Sequence, residues 1–492
     1  MKVERVAAQP QGFRRWVPGI PMLGTYRRSW LRFDLVAGVV LAAILVPQGM
    51  AYAELAGLPA VTGLYTTIAC LIGYALFGPS RILVLGPDSS VAPLIFAAIT
   101  PLLVTSDPAT AIALAGMMAV LVGAIEVGLG LGKLGFVADL LSKEVQVGYM
   151  NGLAVTILVG QLPKLFGFST DADGFIEECK AFAKGLDKTN TTALAIGIAT
   201  LAVLLLVPRV SKKVPAVLVA VVGATVVTGV FTLAERGVDT VGALPQGLPA
   251  PTFPSVPLDT LGALLAAALG IVLVSLTDTI ATSTSFAARR GDEVDPDQEM
   301  IGMGAANIFA GFFQGFAISA SGSRTAVAEQ SGSKSQVTGL GGAAIVALLL
   351  LFWPSLLQDL PQPALAAVVI AAALSLFNIA ILRTYYRMRR SALVISLIAS
   401  SGVILFGVLE GILIAIALSI LLFFRRNWWP EGEVLGRVSE LEGWHRTDLF
   451  PDAQETDRVL VFRWEAPLFF ANAGIFRQEI RKLVRRRKPR WL

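Results

Sequence analysis

Stretches of about 20 apolar residues recur along most of this chain, each long enough to cross a bilayer as a helix. In hydrocarbon only helices and closed barrels satisfy their own backbone hydrogen bonds, so this feature restricts the fold more than any other. Candidate spans fall at 35–54, 61–78, 82–104, 109–131, 136–161, 191–208, 214–233, 258–284, 298–315, 317–333, 336–356, 363–382, 391–406 and 408–425, fourteen in all. The fold class they predict is an all-α polytopic membrane protein. Composition agrees: 55% of the 492 residues are hydrophobic and 15% charged, against roughly 25% charged in soluble domains.

Lysine and arginine set the orientation. They gather in the N-terminal segment (Arg14, Arg15, Arg27, Arg28, Arg32), after the sixth span (Arg209, Lys212, Lys213) and after the eighth (Arg289, Arg290). Further clusters follow the twelfth span (Arg383, Arg387, Arg389, Arg390) and the last (Arg425, Arg426). With fourteen spans all these fall on one side, which the positive-inside rule makes the cytoplasm of a plasma (inner) membrane, both termini included. The lysines of loop 162–190 fall outside and are matched by Asp171, Asp173, Glu177, Glu178 and Asp187. The net charge of +5 therefore reflects loops rather than nucleic-acid binding. The Arg485–Arg487 run reads as a solvated face or a lipid-headgroup contact. The basic N-terminus lacks a signal-peptide core, so the first span is expected to act as the insertion signal. Two cysteines, Cys70 and Cys179, and the single His445 exclude a disulfide framework and a histidine metal cluster.

One stretch breaks the apolar pattern. Phe316–Gln330, FAISASGSRTAVAEQ, sets Ser319, Ser321, Ser323 and Thr325 around Gly322 and Arg324, with Ser331 just beyond. It reads as a short extended piece feeding a half-helix, whose free N–H groups and dipole make an anion site. In the first half, Gly78–Leu94 repeats the logic: an extended Ile-Leu-Val-Leu run, then Gly86-Pro87, then a hydroxyl-rich helix start. Interrupted spans at matching positions in two halves point to a midplane site between inverted repeats.

Four further positions carry polar chemistry inside apolar surroundings. Pro47 kinks the first span and puts Gln48 and Tyr52, one turn apart, on a common face. Asp88, with Ser89 and Ser90 behind it, is a helix N-cap, a cation-coordinating or proton-accepting group, or both. Asp278 lies within an apolar helix with Thr282 one turn on; it must take up a proton or pair with a cation, and Thr282 and Ser283 complete an oxygen cage for sodium. Arg324 raises the potential for an anion, or balances Asp278 or Glu329. Glu329 and Gln330 read as cytoplasmic-side helix contacts. The chain contains no Walker A, GxSxG or HExxH motif and no GxGxxG after a strand, so it is not expected to be an enzyme.

PQGMAYAELAGLPAVTGLYT, GPSRILVLGPDSSVAP, Asp295–Phe313 with SASGSRTAVAEQSGSKSQVTG, and RVLVFRWEAPLFFANAGIF together resemble the SulP family of anion transporters. The fold this implies is a seven-plus-seven inverted repeat like that of uracil permeases. A core domain (34–131 and 258–356) would move against a gate domain (136–233 and 363–426), behind a cytoplasmic segment 1–33. Residues 427–492 look like the start of a STAS domain, incomplete at KPRWL. By resemblance the anion sits between half-helices that start near Asp88 and Ser321. Ser89, Gly322, Ser323 and Arg324 line it, and Gln48 and Tyr52 complete the pocket.

The chain departs from the family in having Asp278 where many members have Glu, and Asp88 where a small or apolar residue is common. Asp followed by Thr resembles sodium-dependent bicarbonate members, whereas Glu goes with proton coupling. The resemblance implies an elevator-type secondary active transporter, sulfate first, coupled to a proton or sodium ion through Asp278 and Thr282. Alternatives are a sodium-dependent bicarbonate carrier, a proton-coupled dicarboxylate carrier, or an uncoupled anion channel or exchanger. No cofactor beyond sodium is expected; the expected partners are the small anion, membrane lipid and a second copy in a homodimer.

Overall fold

The computed structural model describes residues 17–103, 107–170, 172, 174–211, 215–388, 390–430, 432–438 and 441–491. Arg14, Arg15, Asp171, Asp173, Lys212, Lys213 and Arg389, all used above for orientation or charge balance, lie outside the described residues. The chain divides into two compact units, Met1–Ile416 and Ala417–Leu492.

The first unit is helical. Its elements are α1 (Gly19–Gly24), α2 (Leu31–Leu55), α3 (Ala60–Phe77), strand β1 (Leu85–Gly86) leading into α4 (Ala92–Ile99), α5 (Pro108–Leu131), α6 (Lys143–Phe166), α7 (Phe175–Lys184), α8 (Thr191–Val210) and α9 (Ala216–Val230). Then come α10 (Leu261–Arg290), α11 (Pro296–Phe312), strand β2 (Ser319–Ala320) leading into α12 (Gly322–Gln330), α13 (Val337–Phe352), α14 (Gln362–Leu376), α15 (Ile379–Met388) and α16 (Arg390–Phe406); α17 (Val408–Trp428) starts in this unit and runs past Ile416 into the second. Eight of the described helical runs are long and apolar enough to cross a membrane, and four shorter apolar helices accompany them.

Side-chain caps start several helices. Asp107 accepts from the N–H groups of Ala109 and Thr110 at α5, Asn190 caps α8, and Asp295 caps α11 ahead of Pro296. Within the unit, α3 and α5 both pack on α11, and α2, α3 and α13 pack on one another. In a second set, α6, α8 and α14 pack on one another, and α16 packs on α6. The α5–α11 approach depends on glycine. A Cβ on Gly304 would lie 2.6 Å from the Gly123 oxygen, and one on Gly311 would lie 2.5 Å from the Gly116 oxygen. Small residues let helix backbones close in this way where no hydrophobic drive exists between spans.

Three boundaries differ from the sequence reading. The fifth span begins at Lys143, after a 3-10 stretch at Gly135–Leu140, and runs on to Phe166. The twelfth breaks at 377–378, where the Asn378 N–H bonds the Asn151 side chain, and an amphipathic helix α15 follows. Loop 162–190 contains α7.

The second unit is a three-stranded antiparallel sheet of β3 (Gly432–Gly436), β4 (His445–Arg446) and β5 (Val461–Trp464), ordered β4-β3-β5, followed by helix α18 (Ala473–Arg487). Glu433 is buried on β3 between Arg446 and Arg463.

Candidate functional site

Both interrupted spans begin as extended backbone and meet each other. Strands β1 and β2 pair antiparallel, Leu85 opposite Ala320 and Gly86 opposite Ser319. The ladder continues through the Ser321 N–H to the Val84 oxygen (3.1 Å), and the Val84 N–H donates to the Thr325 hydroxyl (3.1 Å). This pairing sets the starts of α4 and α12 side by side. Ser321 caps α12, its Oγ accepting from the Arg324 N–H (3.5 Å) and lying 3.1 Å from Ser323 Oγ. Asp88 caps the turn before α4: its Oδ1 accepts from the Ser90 N–H and hydroxyl (3.0 and 2.8 Å). The helix proper then starts at Ala92, one turn later than the sequence suggests.

Arg324 is 1% exposed and reaches out of α12 into the other broken span. Its Nη1 donates to the Pro87 oxygen (2.6 Å), and its Nη2 to the Gly86 oxygen (3.5 Å) and to Asp88 Oδ2 (3.2 Å). Gly86 makes the room: a Cβ there would stand 2.8 Å from Arg324 Nη1. Among the described residues the guanidinium Nε finds no acceptor. Arg324 thus pairs with Asp88, and not with Asp278 or Glu329 as the sequence allowed. Glu329 lies 4.0 Å from Arg289 instead. Asp278 Oδ1 accepts from Gln146 Nε2 on α6 (2.9 Å), and Ser90 lies beside the same carboxyl.

The remaining candidates converge on this place. Tyr52, buried on α2, lies beside Ser89, Asp88 and Arg324. Gln48, one turn earlier, is partly exposed within a run of buried residues. Thr282 Oγ1 would lie 3.9 Å from a Cβ on Gly322, so α10 faces the first turn of α12. Gly322 and Ser323 are exposed between buried Ser321 and Arg324, while Asp88, Asp278 and Thr282 are partly so. Ser283, expected to join a sodium cage, is buried and donates to the Ile280 oxygen (3.2 Å). A separate cleft of about 620 Å³ lies at the C-terminal end of α2, lined by Glu54, Lys164 and Gln362 among others; Gln362 Nε2 donates to Glu54 Oε1 there (2.8 Å).

Several supporting groups escaped sequence reasoning. Asp34, wholly buried, accepts from the N–H groups of Lys334 and Ser335 and from the hydroxyls of Tyr26, Ser335 and Thr338. It ties the start of α2 to the α12–α13 turn. Thr279 Oγ1 accepts from the Ala320 N–H (3.2 Å), and Asn307 Oδ1 from the Ile318 N–H (2.9 Å), so α10 and α11 both hold the strand that feeds α12. An acid or amide inside an apolar helix was the available signal for Glu126 and Asn307.

Residues 31–399 match the model of the sulfate permease family. The chain belongs to that family. It is 39% identical, over 95% of its length and 84% of the relative, to a probable sulfate transporter of Mycobacterium tuberculosis. Human solute carrier family 26 member 6 is 32% identical over 95% of the chain and 64% of the relative. Murine solute carrier 26 family member A9, an anion transporter solved in the inward-facing state, superposes with a TM-score of 0.82 at 25% identity, covering 98% of this chain and 83% of that one. The protein is a multi-pass membrane transporter of anions, not an enzyme.

Proposed function

We propose that this family member is a secondary active transporter that carries a small anion, sulfate first, together with a proton or sodium ion. The observation that carries the reading is the pairing of β1 with β2. It places two helix starts, the exposed Ser323 and a buried arginine in one spot. Free N–H groups at both starts would hold the anion's oxygens, and the spare Nε–H of Arg324 adds a donor. Ser89, Ser321, Gly322 and Ser323 supply further hydroxyls and amides, with Gln48 and Tyr52 closing the pocket from α2.

Charge bookkeeping supports coupling. Asp88 already neutralises Arg324, and Asp278 adds a second negative charge nearby. An anion entering alone would raise an uncompensated negative charge in a low-dielectric site, so a cation has to accompany it. Asp278 is the group placed to take it. Its bond to Gln146 joins the α10 half, read as core, to the α6 half, read as gate. A proton or sodium ion on Asp278 would loosen that bond as core moves against gate in an elevator-type step. Thr282, partly exposed beside Gly322, favours sodium as the second reading, with bicarbonate or a dicarboxylate as its cargo. A fourteen-span count, cytoplasmic termini in the plasma membrane, a homodimer and a STAS identity for the second unit complete the proposal.

The test is uptake into proteoliposomes of sulfate, bicarbonate, fumarate, chloride and uracil, with and without sodium, at two pH values. The expected result is concentrative sulfate uptake that needs a proton or sodium gradient. Uptake that stalls at equilibrium under either gradient would mark an uncoupled channel or exchanger.

A further inference from the structure

Behind the site sits an acid that the transport reading does not use. Glu126, in the C-terminal third of α5, is wholly buried. Its Oε2 accepts from Asn307 Nδ2 of α11 (2.8 Å), and its Oε1 lies 3.0 Å from Ser275 Oγ of α10. Asn307 has no freedom in its amide: Oδ1 accepts the Ile318 N–H, so Nδ2 must face Glu126. Ser275 has a second outlet, since its hydroxyl also lies 3.2 Å from the Val272 oxygen.

These contacts close for either protonation state, since an ionised Glu126 would accept from both Ser275 Oγ and Asn307 Nδ2, but only one of the two states is free of charge. If Glu126 is a neutral acid, its O–H donates to Ser275 Oγ, Ser275 donates to Val272, and the Asn307 amide donates to the remaining carboxyl oxygen. Every polar atom is then matched without a charge. If Glu126 is ionised, a full negative charge sits among neutral donors inside a span. The titratable side chains on the elements packed against it are Asp278, Arg289 and Arg290 on α10 and Asp297 and Glu299 on α11; α4 carries none, although Asp88 precedes it. None of them is hydrogen-bonded or ion-paired to Glu126 among the described contacts. An unpaired buried carboxylate costs several kcal/mol, so the neutral form is the one this pocket accommodates.

We infer that Glu126 is a positioning residue that keeps its proton throughout transport and, through the Asn307 amide, fixes the β2 lead-in from which α12 presents Ser321 to Arg324. Asp278, partly exposed and bonded across to α6, is left as the site's coupling acid. The inference rests on the anion site proposed above for its consequence in transport, but not for its structural content.

Glutamine reproduces a neutral glutamic acid in this pocket: its amide donates to Ser275 and its oxygen accepts from Asn307. Alanine orphans the Asn307 amide and frees it to rotate. The purified full-length variants Glu126→Gln and Glu126→Ala are compared with the unaltered protein by thermal unfolding in detergent with and without sulfate, and by sulfate uptake between about pH 5.5 and 8. Glu126→Gln is expected to keep the unfolding temperature, the sulfate KM within about twofold and the same pH profile. Glu126→Ala is expected to unfold earlier, and its KM should rise about tenfold or more, because the lead-in strand is no longer held. A Glu126→Gln variant whose pH profile flattens, or which loses stability like Glu126→Ala, overturns the inference and makes Glu126 an ionising group. If sulfate neither shifts unfolding nor is transported by the unaltered protein, the anion reading fails. The unfolding comparison of the two variants still decides the state of Glu126.

Discussion

Replacing Asp88 by Asn separates the two roles of the Arg324–Asp88 pair. In the fold, asparagine keeps an acceptor for Arg324 Nη2, and the Pro87 and Gly86 oxygens stay in place. The loss is the difference between a charged and a neutral hydrogen bond, about 1–2 kcal/mol. Removing the buried arginine instead would strand the carboxylate at about 3–5 kcal/mol. In binding the sign reverses. An anion at the first turn of α12 would lie roughly 6 Å from the Asp88 carboxyl, and at an effective dielectric of about 20 two unit charges there repel by about 3 kcal/mol. The Asp88 side chain is 16% exposed, so solvent trims this; about 1.5–3 kcal/mol is left, a factor of about ten to a hundred in affinity. The assay is calorimetric titration of the detergent-purified variant with sulfate at neutral pH and low salt. Asp88→Asn should bind sulfate at least about tenfold tighter than the unaltered protein while unfolding only slightly earlier. A variant that stays folded but binds sulfate no better, or more weakly, would show that the anion does not share the field of Asp88, and the charge argument for coupling would fall with it.

Other consequences can be tested alongside. Asp278→Asn removes the proposed cation acceptor but keeps an oxygen for Gln146; it should abolish accumulation against a gradient while exchange of sulfate continues, read by counterflow in proteoliposomes. Gly86→Ala puts a Cβ 2.8 Å from the pinned guanidinium of Arg324; it should cost about 1–3 kcal/mol of stability and weaken sulfate binding, seen as a lower unfolding temperature and a higher Kd. At the exposed start of α5, the N–H of Ala109 and then the Thr110 hydroxyl hold the Asp107 carboxyl below its usual range. A lowered folded value means the cap's stabilisation is present above about pH 4 and fades as pH falls through the folded value. Amide exchange at Ala109 and Thr110, corrected for intrinsic rates, should therefore quicken on acidification, and in Asp107→Ala at every pH.

Much of this protein could be read before any coordinates. Apolar stretches announced the helices because a bilayer leaves the backbone few other choices, and the polar break at Phe316–Gln330 announced a half-helix because hydroxyls and glycine suit a cap rather than lipid. The extended β2 lead-in and the helix start capped by Ser321 stand where the polar break put them. Local signals of this kind act over a few residues, so one sequence suffices to read them. The pairing of charges did not follow from such signals. The sequence offered Arg324 two acids, Asp278 and Glu329, and the antiparallel docking of β1 on β2, across more than two hundred positions of chain, delivered a third, Asp88. The same docking left Asp278 to Gln146, and the packing of α5 on α11 and α10 gave Glu126 its two neutral partners. Which polar groups meet inside a membrane is settled by how helices pack, because each buried charge or donor takes the partner that geometry delivers and no pattern along the chain records that choice.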